Sequence, residues 1–253
     1  MSDLTPTGMR DAGRLPFDRI GVAVLNELVE AIVSGRVQPG ETLPPEAVLS
    51  QQFGVSRTVI RESMKRLQEK GMVTVAQGRG THVNAMSAWN LLDPLVLPAL
   101  IGHDDALGIL DDLSVVRGAL EAAMAGALAA RRTDEVVETL RASLTTMQEN
   151  MADSAAFRQA DVRFHIAVME LSGNLLAENI ARVLFDRALE STRYHGVDPE
   201  HAFEMTMQEH ERIVEAIDAG DADAARRAMD EHILGSWERR RLPTLRRGKE
   251  PQD

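Results

Sequence analysis

Cysteine is absent from this chain of 253 residues, which excludes disulfide bonds and metal sites built on thiolates. The sequence also lacks an uninterrupted apolar run long enough to cross a membrane. Its first residues lack the basic-then-apolar order of a secretory signal. We therefore expect a cytoplasmic protein without a membrane partner, long enough for two ordinary domains.

Basic residues are outnumbered by acidic ones, 28 to 39, and the net charge is −11. Taken over the whole chain, this balance argues against a nucleic-acid partner. The charge is uneven, however, because residues 55–83 hold six basic and two acidic side chains, a local net charge of +4. A basic module in an acidic body is compatible with DNA binding, since phosphate attraction depends on where the charge lies.

Residues 54–83 carry the signals of a helix followed by a β-hairpin. Ser56 is a good N-cap, and Gly71 suits the position just after a helix. An apolar seam runs between them, formed by Ile60, Met64 and Leu67. Two β-like runs, 72–76 and 81–83, then flank a Gly-Arg-Gly turn. The pattern predicts a DNA-reading helix and a wing.

Helical patterns at residues 20–33 and 46–53 precede this stretch, which completes a winged helix-turn-helix of three helices and a small β-hairpin wing. After residue 104 the composition becomes rich in Ala and Leu, and helical runs alternate with short breaks. The predicted helices span 105–131, 134–150, 155–172, 175–193, 203–219 and 222–241. Breaks are expected near Thr133, 152–154, 173–174, 196–199 and 220–221.

The fold is therefore predicted to be mainly α: a winged helix-turn-helix joined to an all-α antiparallel helical bundle. The sequence divides into a DNA-binding domain (15–84), a linker (85–104), a helical effector-binding domain (105–242) and a flexible tail (243–253). Residues 1–15 are expected to form a flexible leader.

The first domain resembles the GntR family of bacterial transcription regulators. The resemblance rests on 39–40, 43–44, Glu46, 53–58, 61–62, Leu67, Gly71 and 77–81, whose spacing matches the family. Family members commonly carry Ser where this chain has Pro45, and an Arg where it has Ala47. One phosphate contact of relatives is therefore expected to be missing here.

The resemblance implies that a helix and a wing contact double-stranded DNA. The implied residues are Arg57, Thr58, Arg61, Gln77, Gly78 and Arg79, and Lys65 extends the same cationic helix flank. Arginine can bind guanine edges or phosphate, and a Gly turn permits close approach to a groove. The alternative is that these charges merely solvate a surface helix.

Ionisable residues interrupt apolar stripes of the later helices. Asp161 and His165 lie four apart in one stripe, and His210 and His232 lie in two others. A buried histidine alone is more often a hydrogen-bonded core residue than a ligand. One carboxylate and three imidazoles would nevertheless suit a divalent cation and leave positions open, although spacing does not show that they converge.

Residues 107–240 resemble the FCD ligand-binding domain of the FadR branch of the family. In many members these four positions bind a metal whose open sites meet a carboxylate of the effector. The resemblance implies zinc, with nickel or manganese as alternatives, bound by Asp161, His165, His210 and His232.

Two further residues are candidates for contact with the effector. Arg117 continues the apolar register of the first bundle helix and can pair with Glu121, four residues on, or with an anionic effector. FCD relatives have an arginine at this position. Thr206, one turn before His210, can donate to the effector or to its own helix.

The leading hypothesis is a homodimeric transcription regulator, and specifically a repressor, that binds an inverted-repeat operator and responds to a small carboxylate. Residues 89–94 resemble a segment in regulators of sugar-acid catabolism, so a sugar acid or hydroxy acid is expected. The alternatives are a metallohydrolase using the Asp/His site and a regulator that responds to acyl-CoA. We expect no catalytic residues.

Overall fold

The computed structural model describes residues 16–76, 78–104, 108–190 and 201–240. The predicted leader, the tail from 243, Gln77 and the break at 196–199 lie outside these residues. The chain divides into two compact units, Met1–His103 and Asp104–Asp253. Each unit is described by itself below.

The first unit begins with three helices. Helices α1 (Pro16–Val33), α2 (Glu46–Phe53) and α3 (Arg57–Glu69) form where helices were predicted, although α1 begins at Pro16 rather than at residue 20, and both α1 and α2 pack against α3. Apolar side chains from all three helices are buried: Val24, Leu25, Leu28, Val29, Ile32, Leu49, Ile60, Met64 and Leu67. Gly54 adopts a left-handed φ of 65° after α2, which forms the tight turn into α3.

A two-stranded antiparallel sheet follows α3. Strand β1 (Val73–Ala76) pairs with β2 (Gly80–Val83), with Val73 opposite Val83 and Ala76 opposite Gly80. The backbone at 40–43 lies along β2, because Gly40 N donates to Val83 O and Leu43 N donates to Thr81 O, both over 2.8 Å. These bonds attach the wing to the segment that leads into α2.

The residues after the wing pack back onto the first unit. A short 3₁₀ turn (Met86–Ala88) leads to buried Trp89 and then to α4 (Val96–Gly102), which packs against α1. Lys70 Nζ donates to both oxygens of Asp93, over 2.8 and 2.7 Å. This segment is therefore held against the end of α3 and the side of α1.

The close approach of this segment explains the glycine that follows α3. Gly71 has a φ of 73°, and a Cβ built at this position would lie 2.1 Å from the carbonyl oxygen of Ala88. Its own carbonyl accepts a hydrogen bond from Asn84 Nδ2 over 2.7 Å. Only glycine fits both the backbone angle and the space available.

The described part of the second unit contains six long helices, and each corresponds to a predicted one. They are α5 (Ile109–Ala130), α6 (Asp134–Glu149), α7 (Ser154–Leu171), α8 (Leu175–Glu190), α9 (Ala202–Asp218) and α10 (Ala222–Arg240). Thr133 caps α6 by accepting from Val136 N, and Asp153 caps α7 by accepting from Ala155 N and Ala156 N. These caps account for two of the predicted breaks.

Helix α5 is central to the second unit, because α7, α8, α9 and α10 all pack against it. By length and hydropathy alone this helix could cross a membrane, although most of the relevant window is buried in the bundle. That pattern is typical of the core helix of a helical domain. Charged side chains at Asp111, Asp112, Arg117 and Glu121 interrupt its apolar sequence, so the helix contains no continuous apolar run. Near the end of α10, Trp237 Nε1 donates to Asp111 Oδ1 over 2.7 Å and ties α10 to α5.

Candidate metal centre and nucleic-acid interface

Helix α3 presents two different faces. Ile60, Met64 and Leu67 are buried against the first unit, as the predicted seam requires. The side chains of Arg57, Thr58, Arg61 and Lys65 are exposed. Ser56 Oγ accepts from Val59 N and fixes the start of the helix. The helix therefore places a cationic flank at the surface, as a major-groove helix requires.

The wing adds a second exposed cation. Gly78 and Arg79 lie in the turn between β1 and β2, and both are exposed. Gly78 and Gly80 have φ values of 75° and 89°, so the turn uses conformations that favour glycine. Of the seven residues predicted to contact DNA, six are exposed in this unit, and the seventh, Gln77, lies outside the described residues.

Arg61 has a partner that spacing along one helix does not reveal. Its Nη2 lies 3.1 Å from Glu46 Oε2 on α2, and its side chain remains largely exposed. Glu46 raises the pKa of Arg61 by hydrogen bonding and charge. Glu46 therefore occupies the Nε and Nη2 edge of the guanidinium, so a DNA group would have to bind the other edge or displace the carboxylate.

In the second unit, the four ionisable residues predicted as ligands converge. Asp161 and His165 lie on α7, His210 on α9 and His232 on α10. One ligand atom from each lies within 4.8 Å of the others. The Nε2 atom of His232 is 3.0 Å from that of His210 and 3.2 Å from that of His165, and Asp161 Oδ1 is 3.5 Å from His210 Nε2.

The chemistry of this donor set fits a cation. His165 and His232 place Nδ1 against Glu121 and Glu209, over 2.6 and 2.8 Å, so we assign their ring protons to Nδ1. Their Nε2 lone pairs then face each other across the centre. Asp161 Oδ1 is buried with no hydrogen-bond partner among the described residues. A divalent ion would satisfy all of these atoms, since zinc takes imidazole nitrogen and carboxylate oxygen at about 2.0–2.2 Å.

Burial keeps two of the imidazoles in the form that binds metal. Burial, followed by the neighbouring His232 and His165, holds the pKa of His210 well below its ordinary value. Burial also lowers the pKa of His232, although the hydrogen bond to Glu209 opposes this effect. Neutral imidazole is the species that ligates, so no proton has to be displaced from these two rings at neutral pH.

Glu121 and Glu209 lie behind the histidines, and sequence reasoning did not assign either to the site. Glu121 is fully buried, and burial alone would raise its pKa, but Arg117 and His165 outweigh burial and bring the pKa to about 2. His232 and Arg239 likewise lower the pKa of Glu209 against the effect of burial. Two features of the sequence could have identified them: Glu121 lies in the apolar register of α5, and Glu209 directly precedes His210.

Arg117 and Thr206 are both buried in the second unit. Arg117 Nε donates to Glu121 Oε1 over 2.5 Å, so the pairing considered as the simpler alternative is present. The guanidinium carbon also lies 4.0 Å from the centre of the Phe185 ring. Since Glu121 also contacts His165, Arg117 is linked through Glu121 to one of the candidate ligands. Its contact with an effector remains a prediction, as does that of Thr206.

Two family models match the chain. The model for bacterial regulatory proteins of the gntR family matches residues 21–83, and the FCD domain model matches residues 112–235. The first match covers α3 and the wing, and the second covers all four candidate ligands.

Relatives extend the likeness over most of the chain. The galactonate operon transcriptional repressor of Escherichia coli (strain K12) is 32% identical over 214 residues, which cover 84% of this chain and 93% of the relative. The HTH-type transcriptional regulator LutR of Bacillus subtilis (strain 168) is 29% identical over 206 residues, covering 80% and 92%. Both are named as regulators of transcription, and neither as an enzyme.

Among solved structures, the chain is similar to that of Lar, described as controlling the expression of the Listeria monocytogenes agr system. The identity is 20%, the TM-score is 0.52, and the match covers 87% of this chain and 95% of that chain. At this identity the likeness supports the fold alone.

Proposed function

The chain belongs to the GntR family of transcription regulators and carries an FCD domain, and from this premise we propose that it is a repressor controlled by a small carboxylate. The observation that carries the proposal is the convergence of Asp161, His165, His210 and His232 on one buried point. These four side chains would hold a divalent metal and leave room for an oxygen of the effector.

In the DNA-binding half of the proposal, α3 and the wing contact the DNA. Arg57, Thr58, Arg61 and Lys65 would enter or flank a major groove, and Gln77, Gly78 and Arg79 would reach the adjacent backbone or groove. A homodimer would place two such units on an inverted repeat. In a gel-shift assay, the purified protein should retard its own promoter region at low salt. Failure to retard that DNA would contradict this half of the proposal.

In the effector half of the proposal, the bound metal is zinc, with nickel and manganese as alternatives. Asp161, His165, His210 and His232 would hold the ion, Arg117 would pair with the effector carboxylate and Thr206 would donate to it. When bound, the ion supplies a Lewis-acidic point for an effector oxygen. Elemental analysis of the purified protein tests this half, and a protein that neither contains nor takes up metal would remove it.

A sugar acid or hydroxy acid is the proposed effector class, and galactonate is the first compound to test because of the relative's name. Galactose is the matched control, since it shares the carbon skeleton but lacks the carboxylate. Galactonate, or another aldonate in the same panel, should release DNA from the zinc-loaded protein, and galactose should not. Release that persists in the chelated protein would place effector binding elsewhere.

To control DNA binding, the effector must bind the DNA-bound and DNA-released conformations of the protein with different affinities. An effector with equal affinity for both would not shift the equilibrium between them. We propose that an effector held at this centre would tether α7, α9 and α10, which carry the four candidate ligands. An acyl-CoA effector would not use the four ligands, so metal dependence of DNA release separates the two classes.

A further inference from the structure

The three candidate histidine ligands are oriented by different partners. His165 Nδ1 lies 2.6 Å from Glu121 Oε2, and His232 Nδ1 lies 2.8 Å from Glu209 Oε2. His210 Nδ1 instead lies 3.3 Å from Met147 Sδ, and its ring stacks on Phe164 with centroids 4.2 Å apart. Two rings are therefore held by carboxylates and one mainly by packing.

A carboxylate behind a histidine has a definite effect on the ring. It accepts the Nδ1 proton, so the Nε2 lone pair is left facing the centre, and it makes the imidazole a stronger donor to a metal. A thioether is only a weak acceptor, so it supplies little of this effect. The arrangement thus predicts unequal support for the three ligands.

The two carboxylates are themselves held in place by arginines. Arg117 Nε donates to Glu121 Oε1 over 2.5 Å, in a part of α5 where both side chains are buried. Arg239 donates through both terminal nitrogens to Glu209, over 2.9 and 2.8 Å. His165 and His232 therefore each stand at the end of a chain that runs from arginine to glutamate to imidazole.

We propose that Glu121 and Glu209 are positioning residues of the metal centre, and that Arg117 sets metal affinity through Glu121 even when no effector is present. This inference rests on the metal binding proposed above. Under this inference, Arg117 has two roles. It is the residue expected to bind the effector, and through Glu121 it also supports His165 as a ligand of the ion.

The competing explanation is that Glu121 and Glu209 serve only as buried counter-ions for Arg117 and Arg239. Replacing one member of a buried ion pair destabilises a protein because the other charge is left unpaired. Under that explanation the metal-free protein would melt earlier, but folded protein would bind metal as before. Metal affinity and ligand-field spectra therefore distinguish the two explanations, and melting temperature alone does not.

The test compares Glu209→Gln, Glu121→Gln and Arg117→Gln with the native full-length protein. Zinc affinity is measured by competition with a chelator, and the visible spectrum is recorded after loading with Co²⁺. Each substitution should weaken zinc binding roughly 10- to 100-fold, as loss of such partners does elsewhere. The Co²⁺ bands should shift in position or intensity for both glutamate variants.

Glu170→Gln is the matched control, because it removes the same charge from α7, where Glu170 pairs with Arg182 at an exposed position. It should leave zinc affinity and the Co²⁺ spectrum unchanged. If Glu121→Gln does not fold, Glu209→Gln decides the question, since its arginine partner is only partly buried and can reach water. Native protein that binds no metal would refute the effector half of the proposed function, and this inference with it. Native protein that binds zinc, with glutamate variants that bind it equally well, would overturn this inference alone.

Discussion

At the scale of single residues, Asp161 has two opposite effects on the molecule. Its Oδ1 atom is buried with no hydrogen-bond partner among the described residues, which costs about 1–3 kcal/mol for an unsatisfied polar group. The same atom faces His210 Nε2 at 3.5 Å and His165 Nε2 at 3.9 Å. A cation bound here would coordinate this oxygen and remove the free-energy cost of leaving it unsatisfied.

We therefore predict that Asp161→Asn stabilises the metal-free protein and weakens metal binding. The amide can donate to the Nε2 lone pairs that the carboxylate faces, which should raise the melting temperature in chelator by a few degrees, at roughly 2–4 °C for each kcal/mol. The native protein should gain stability on adding zinc, and the variant should gain little. Calorimetry with and without zinc measures both effects. A lower melting temperature for the chelated variant would contradict the prediction.

Arg57 provides the corresponding test at the DNA interface. It lies exposed in the first turn of α3, so Arg57→Ala should weaken operator binding by about 1–3 kcal/mol, roughly 5- to 150-fold. Arg36→Ala removes the same charge from an exposed pair with Glu27 and serves as the control. Fluorescence anisotropy at several salt concentrations measures the loss. Equal losses for the two variants would show that only net charge matters.

Individual residues differ in how far the sequence could predict them. The apolar stripes of three helices contain Asp161, His165, His210 and His232, but their convergence depends on how those helices pack, and it was expected only from the family resemblance. Glu121 and Glu209 could not be assigned in the same way, because their role depends on how each helix is rotated about its axis. The pairing of Arg61 with Glu46 depends on the crossing of two helices, which periodicity does not supply.

At the scale of secondary-structure elements, local signals located the starts of α3, α6 and α7. Ser56, Thr133 and Asp153 all act as predicted caps or breaks, because capping depends only on neighbouring residues in the chain. The segment after the wing has no such periodicity, yet α4 forms there and packs against α1. The apolar run at residues 91–101 indicates a segment that packs on a neighbour, but the local sequence does not encode that this neighbour is α1.

This packing leads to a prediction about where the first unit ends. Helix α4 buries four apolar side chains, Val96, Leu97, Leu100 and Ile101. Each is worth about 1.5–3 kcal/mol when fully buried, so their loss would remove much of the stability of a small domain. A fragment of residues 1–103 should therefore show a cooperative thermal transition by circular dichroism, and a fragment of residues 1–84 should not. Two equally stable fragments would place the boundary at the end of the wing.

At the scale of the whole molecule, the buried histidines couple stability to pH. The pKa values of His210 and His232 are lowered in the folded protein, whereas an unfolded histidine titrates near 6.5. Below that pH the unfolded chain binds protons that the folded chain does not, so stability must fall as the pH falls.

The metal-free protein should therefore keep its stability above about pH 6.5 and lose it progressively toward pH 5. The steepest slope should be about 1.4 kcal/mol per pH unit for each of the two histidines. Urea denaturation in chelator at a series of pH values measures this slope. Zinc-loaded protein is the control, because bound metal competes with the protons. A flat profile in chelator between pH 7 and 5 would contradict the lowered pKa values.

The chain contains two tryptophans, and one lies in each compact unit. Trp89 is buried beside the end of α3, with its Nε1 donating to Asn84 O, and Trp237 is tied to Asp111 on α5. The molecule thus carries a separate optical reporter for each unit. Trp237→Phe would leave fluorescence that reports on the DNA-binding unit, and Trp89→Phe would leave fluorescence that reports on the helical unit. Zinc or galactonate added to each single-tryptophan protein would then show in which unit the response begins.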